Sequence, residues 1–217
     1  WYLKGVGDKP GLFVEIQSNQ GQWRIEDRYP PQDMETISFD LGGGMMNVAG
    51  GTTTILPNGN FGPIYESEAF TEDIWISGLP RLHIDVSTVT VGGQIYALLE
   101  DCSEEGYCIH IGHAIMDLRY HEGGNQEQTW LPIFDTINAK MEFFAMDVQI
   151  ESGHTIRLSL ASTGEDYLPA STSSIVEVSE SSNSNLLIDI INPEDKLLFN
   201  PPTCTHQACL DWLNQTA

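Results

Sequence analysis

The four cysteines stand in two close pairs, Cys102 with Cys108 and Cys204 with Cys209. Five residues separate the first two thiols across an expected hairpin and four separate the second two. Both gaps are short enough to bring the Cα atoms into the range a disulfide needs, ~4.4–6.8 Å. Disulfides imply an oxidising compartment, hence a secreted or cell-surface protein. The competing chemistry is zinc, with His206 beside the terminal pair and His110 or His113 beside the other, although only the terminal gap falls within knuckle spacing. Free thiols remain the third reading.

The histidines at 83, 110, 113, 121, 154 and 206 are scattered. His83, His110 and His154 lie in or beside expected strands, where hydrogen bonding at the edge of a core is the plain role. His110 and His113 are an odd number of residues apart and should point to opposite faces of a strand. Paired acids at Glu104-Glu105, Glu165-Asp166 and Glu194-Asp195 fall in loops and read as solvated rather than as two carboxylates flanking a glycosidic bond. No serine has the Gly-x-Ser-x-Gly context of a nucleophile elbow. No catalytic residue is expected. Trp75, Trp130 and Tyr167 are candidates for a sugar-binding platform, set against the plainer role of core or loop anchors.

The formal charge is −22, with 31 acidic against 9 basic residues. Such a surface has little with which to neutralise phosphates, so nucleic acid and anionic membranes are excluded as partners. Salt would screen the self-repulsion, which suits a saline setting. The acids raise calcium as a possibility on composition alone, but the D-x-D-x-D-G loop is missing, and neither metal nor cofactor is expected. No run of 18 apolar residues is present to span a bilayer as a helix. The chain opens on Trp1 without a leader, which reads as a processed product or a piece of something longer. Asn214-Gln215-Thr216 is a glycosylation sequon.

The elements that must position these side chains are strands. In the stretch from Arg81 to Thr88, Leu82, Ile84, Val86 and Thr88 alternate with Arg81, His83, Asp85 and Ser87, the pattern of a half-buried antiparallel strand. Val91-Gly92-Gly93-Gln94 supplies turn chemistry, so residues 81–89 and 94–101 are expected to pair as a hairpin at the centre of the sheet. Further strands are expected at 12–17, 22–25, 36–41, 74–77, 107–120, 139–150, 155–160 and 186–191, with an edge strand at 174–178. Residues 50–63 read as irregular loop, Glu151-Ser152-Gly153-His154 as a tight turn, and 208–214 as a turn or two of helix. No fixed-period repeat is present. An all-β, antiparallel sandwich with jelly-roll or Greek-key connections follows, in one domain.

The order of several motifs adds to this. Trp1-Tyr2-Leu3-Lys4-Gly5, then Val14 with Trp23-Arg24 and Pro30-Pro31, then Ile95 to Asp101 followed by Gly112 and Arg119, then Gly153-His154-Thr155-Ile156-Arg157-Leu158, resembles the carboxy-terminal region of the X-Pro dipeptidyl-peptidase and cocaine esterase family of serine hydrolases. The resemblance runs to about Asn200. It implies a galactose-binding-like jelly roll at 11–200, packed on an upstream α/β-hydrolase domain and walling its substrate pocket. It also implies a remnant of the interdomain link at 1–10, a tail at 201–217, and a catalytic triad wholly upstream of Trp1. Trp23-Arg24 would then stack indole on guanidinium to pin a strand entry, and Gly153-His154 would turn the chain into a core strand. The loop between Gly42 and Glu72 lacks the Asp-Pro-x-x-Pro-x-Pro-Ser-x-Gly-Gly run of many members, which puts pocket contacts from it, Phe61 included, in question. The alternative function is a jelly-roll module that binds carbohydrate or another polymer.

Overall fold

The computed structural model describes residues 14–121, 129–164, 166–170, 174–192 and 198–199. The strands are β1 (Val14–Gln17), β2 (Trp23–Glu26), β3 (Glu35–Gly42), β4 (Met45–Met46), β5 (Thr52–Ile55), β6 (Ile64–Glu66), β7 (Ile74–Gly78) and β8 (Arg81–Thr88). They continue as β9 (Gln94–Cys102), β10 (Cys108–Asp117), β11 (Ile137–Glu142), β12 (Met146–Ile150), β13 (Thr155–Ala161), β14 (Val176–Ser179), β15 (Asn185–Ile191) and β16 (Leu198–Phe199). The one helical turn among the described residues is a 3₁₀ segment, Leu118–Tyr120, capped by the Asp117 carboxylate accepting from the Arg119 N–H.

These strands form a two-layer β-sandwich. In the first layer β7 and β8 follow one another along β15, with β12 and β11 on their other side, β14 and then β5 beyond β8, and β3 beyond β15. The second layer runs β10-β9-β13-β6-β4, and β3 joins the layers by pairing with β15 and then turning into β4. Every ladder is antiparallel except the β4–β6 bridge. A separate small sheet, β1-β2-β16, lies beside β7 and β12.

Period-two patterning explains where the core sits. Leu82, Ile84, Val86 and Thr88 are buried, as their alternation predicts, and across from them Ile95, Ala97 and Leu99 of β9 are completely buried. Residues 81–88 and 94–102 are nevertheless not a hairpin. One edge of β8 is occupied by β11 and the other by β15 and β14, while β9 pairs with β10 and β13, so the 89–93 link crosses from one layer to the other. Alternation fixes which face of a strand is apolar; it does not name the neighbour. Neither Gly92 nor Gly93 takes a positive φ. Gly93 instead sits where an added Cβ would come within 3.2 Å of Val176 Cγ2.

Three further expectations are corrected. Residues 50–63, expected as irregular, contain β5. The strand at 176–179 is interior, because β5 covers the edge that was expected to be free. The apolar stretch 139–150 divides into β11 and β12, which run one after the other along β8 and β7. The turn at 151–154 is as expected: Gly153 has φ +87°, its N–H donates to the Phe70 carbonyl at 2.8 Å, and the His154 N–H donates to the Glu151 carbonyl at 3.1 Å. The expected terminal helix, the Cys204–Cys209 pair, His206 and the sequon lie outside the described residues, as do Trp1 to Gly5.

Candidate functional site

Two clusters of polar and aromatic side chains flank the start of β12, and they differ in kind. The first centres on Arg24, whose side chain is fully buried. Its Nε donates to Glu26 Oε1 at 2.9 Å, Nη1 to Asp147 Oδ1 at 2.5 Å, and Nη2 both to Asp147 Oδ2 and to Ser77 Oγ, the latter at 2.7 Å. Burial alone would lower the guanidinium's pKa; hydrogen bonds and charge from Asp147 and Glu26 outweigh it and hold the pKa above its ordinary value. The guanidinium stacks on Trp75, 5.4 Å from the ring centroid, and not on Trp23 beside it in sequence. Adjacent residues of a strand point to opposite sides, so Trp23 is not a possible partner on that face. Trp75 is only 3% exposed and donates from Nε1 to Asp147 Oδ1 at 2.7 Å, so it is no sugar platform. The Tyr29 hydroxyl closes the cluster by donating to the Met146 carbonyl at 2.7 Å, and burial followed by the Asp147 charge raises its pKa. This cluster ties the β1-β2 sheet to β7 and β12.

His154 makes a second tie between elements. Its Nδ1 lies 2.8 Å from Asp101 Oδ1, fixing the turn before β13 to the end of β9. Cys102 and Cys108, directly opposite one another at the end of the β9–β10 ladder, form a disulfide with Cα atoms 4.0 Å apart.

The second cluster is open. Phe61, Tyr96, Leu98, His110, Thr163 and Asp166 line a groove of about 580 Å³ on the outer face of β9. His113 stands behind it, with Nε2 at 2.7 Å from the Tyr167 hydroxyl and Nδ1 at 3.2 Å from His110 Nε2. Its ring also packs edge-on against Phe144, with centroids 5.2 Å apart. The expectation that His110 and His113 point to opposite faces fails because the β9–β10 register shifts between His110 and Gly112. One extra residue in a strand puts an odd-offset pair on the same face. Gly112 accommodates the bulge: a Cβ there would meet Met146 Cε at 2.3 Å. Burial, then the His110 charge, lowers the pKa of His113, with Asp166 pulling the other way.

Of the aromatics expected at a ligand site, Phe61 and Tyr167 converge here through Tyr96, their ring centroids 6.3 and 6.0 Å from its own. Trp130 does not; it is 59% exposed and lies apart, with Arg119 5.8 Å from its ring centroid. Sequence reasoning did not name Tyr96 or Phe144, and it weighed His113 only as a zinc partner of the first cysteine pair. The signal available for the histidines was the glycine between them, since glycine inside a strand marks a bulge. Among the described residues no histidine is hydrogen-bonded to a serine, and no three His, Cys, Asp or Glu side chains gather as metal ligands. The groove can hold an apolar or aromatic surface, and among the described residues no serine lines it.

Residues 4–184 match the family described as the X-Pro dipeptidyl-peptidase C-terminal non-catalytic domain. The chain belongs to that family. Solved structures similar to this X-Pro dipeptidyl-peptidase C-terminal domain include a CocE/NonD family hydrolase from Staphylococcus aureus, at 12% identity over 85% of this chain and 42% of that one, with a TM-score of 0.71. An aminopeptidase from a marine sediment Thaumarchaeota archaeon aligns at 13% identity over 87% of this chain and 42% of that one, TM-score 0.69. An α-amino acid ester hydrolase aligns at 14% identity with the same coverages, TM-score 0.67. At such identities the likeness is one of fold. The domain spans 42% of the length of each of these relatives. No curated protein matches it by sequence. No helix among the described residues is long and apolar enough to cross a membrane.

Proposed function

We propose that this chain is the non-catalytic domain of a secreted serine hydrolase of the X-Pro dipeptidyl-peptidase or acyl-esterase kind, packed on an upstream α/β-hydrolase domain and walling its substrate pocket. The observation that carries the reading is the groove, where Phe61, Tyr96 and Leu98 offer an apolar wall. Apolar clefts with a few polar groups at the rim are where substrates are held. Secretion is supported by the Cys102–Cys108 disulfide.

Two measurements test this. The isolated chain, offered an Xaa-Pro chromogenic amide or an aryl ester, is expected to give no turnover; activity abolished by a serine-directed fluorophosphonate would refute the non-catalytic assignment. In the parent protein Phe61→Ala is expected to raise KM more than it lowers kcat, as loss of substrate binding does. A second reading is a carbohydrate- or polymer-binding module, favoured by the meeting of Phe61, Tyr96 and Tyr167. Saturable binding on a glycan array, removed by Tyr96→Ala, would move the assignment to it.

A further inference from the structure

The row of outward side chains on β9 that gives the groove Tyr96 and Leu98 begins two residues earlier with Gln94, on the same face of the strand. Gln94 is only 8% exposed, because residues 57–59, 169–170 and Ser174 surround it. They leave a chamber of about 220 Å³ against its side chain, and Gly59 and Thr163 line both this chamber and the groove. The two spaces are neighbours along one strand.

The hydrogen bonds around the chamber leave one end of Gln94 unused. Its Nε2 donates to the Leu168 carbonyl at 3.4 Å, while its Oε1 accepts from none of the described residues. The opposite orientation of the amide would set oxygen against oxygen, so the free end is the acceptor. Three hydroxyls of the wall already have partners. Thr163 Oγ1 donates to the Tyr167 carbonyl at 3.0 Å, Ser174 Oγ donates to the Ile175 carbonyl at 3.0 Å, and Ser162 Oγ accepts from the Gly59 N–H at 3.1 Å. What remains at Gln94 is one acceptor and, beside it, the second hydrogen of Nε2. A buried polar group costs free energy unless something pairs with it. Among the described residues no charged side chain lines the chamber, so an ion would enter it without a counter-charge.

We propose that this chamber is a binding site for a carboxamide, the ligand group that matches the Gln94 amide edge to edge. The ligand NH₂ donates to Gln94 Oε1, and Nε2 gives its second hydrogen to the ligand carbonyl. A hydroxyl of similar reach answers only one of those two bonds. A carboxylate has no hydrogen for Oε1 at neutral pH, and it meets no cation in the chamber. The rest of the ligand extends past Gly59 and Thr163 into the groove, a step that rests on the groove holding a ligand as proposed above. Residue 59 suits that junction: its φ is +75°, and a Cβ there would start 3.4 Å from Thr163 Cγ2 and narrow the way between the two spaces.

Three probes of similar size, phenylacetamide, 2-phenylethanol and phenylacetate, titrated into the full chain and followed by NMR, test the proposal. Phenylacetamide is expected to shift the side-chain NH₂ signals of Gln94 and to bind about tenfold more tightly than either of the others, the discrimination that one buried hydrogen bond supplies. Equal affinity for the amide and the alcohol, or a Gln94 amide that does not move, would overturn it. In Gln94→Met phenylacetamide should bind no better than 2-phenylethanol. Ala170→Leu fills the chamber, leaves Gln94 in place and should have the same result, which keeps the test decisive if the first variant does not fold; a preference for the amide that survives Ala170→Leu would also overturn the site. The two levels separate in the same spectra. Shifts at Phe61 and Tyr96 with all three probes and none at Gln94 remove the chamber and keep the groove, whereas silence at all three residues removes both.

Discussion

The Arg24 cluster and the His113 groove lie on either side of Met146 and use the same kinds of side chain, yet they have opposite characters. Around Arg24 each strong donor meets an acceptor: two carboxylates, a hydroxyl and an indole close on one guanidinium. Around His113, Phe144 and Tyr167 pack edge-on and Tyr96 lies tilted, with a cavity alongside. Closed, satisfied polarity inside a fold specifies how elements dock, while aromatic surface left facing a groove is available to something else. Aromatic residues next to charged ones therefore do not mark a site until it is known whether their polar atoms are already used.

The comparison breaks most visibly at Arg24. Arg24→Ala leaves Asp147 and Glu26 as buried carboxylates without their counter-charge, and breaking such a pair by removing one partner costs about 3–5 kcal/mol. The denaturant midpoint of the domain is expected to fall accordingly, and Arg24→Ala combined with Asp147→Leu should recover part of the loss, since the second change removes one stranded charge. Equal losses for the single and double variants would mean that the cluster acts through packing rather than charge.

A smaller effect is expected at the bulge that shapes the groove. Gly112→Val places branched carbon where Met146 Cε now lies, and overpacking of this kind costs roughly 1–3 kcal/mol. The same change should separate His110 from His113, visible as altered imidazole nitrogen shifts in both rings. A stable variant with unchanged shifts would show that the bulge does not depend on the glycine.

The groove walls should respond in the reverse sense. Phe61→Ala truncates a half-exposed ring and should alter stability by no more than about 0.5 kcal/mol, the range of ordinary surface changes. Its effect is reserved for KM in the parent protein. If thermal unfolding instead shows a loss as large as that of Arg24→Ala, the groove belongs with the structural cluster and the contrast disappears.

Much of this architecture was legible in the chain, for definite physical reasons. The alternation from Arg81 to Thr88 gave a correct strand with the correct buried face, because side-chain direction in a strand is local. Its pairing was not legible: β8 and β9 share a short link yet belong to different layers, and only packing across the core decides that. Trp23-Arg24 was read as an indole stacked on a guanidinium, whereas the ring that Arg24 meets comes from residue 75, about fifty positions away. Phe61 and Tyr167 were named as ligand-site candidates, whereas Tyr96, the ring that joins them, was hidden inside an apolar run. The convergence of the segment before β6 with β9, β10 and the segment around residue 166 is a product of topology, and no local pattern in the sequence encodes it.

The faintest expected difference is one of pH. His113 has its pKa lowered from 6.5 by burial and the His110 charge, against Asp166, in a setting that also contains Tyr167, Tyr96 and, across from His110, Glu100. His83, on the polar face, has its pKa lowered from 6.5 by burial, Lys140 and Arg81. For both, folding favours the neutral ring, so the stability linked to it is present above 6.5 and is lost as pH falls through the lower folded values. Asp85 and Asp117 also have lowered values, their hydrogen bonds outweighing burial, and their linked stability is present above 3.8 and lost only as pH falls below it. Acidification from about pH 7.5 to about pH 5 should therefore lower the urea midpoint through the imidazoles before those two carboxylates titrate. In His113→Phe the part of that slope owed to the groove should vanish while the His83 part persists. A midpoint that rises on acidification, or a slope untouched by His113→Phe, would show that the His113 ring does not titrate with the fold.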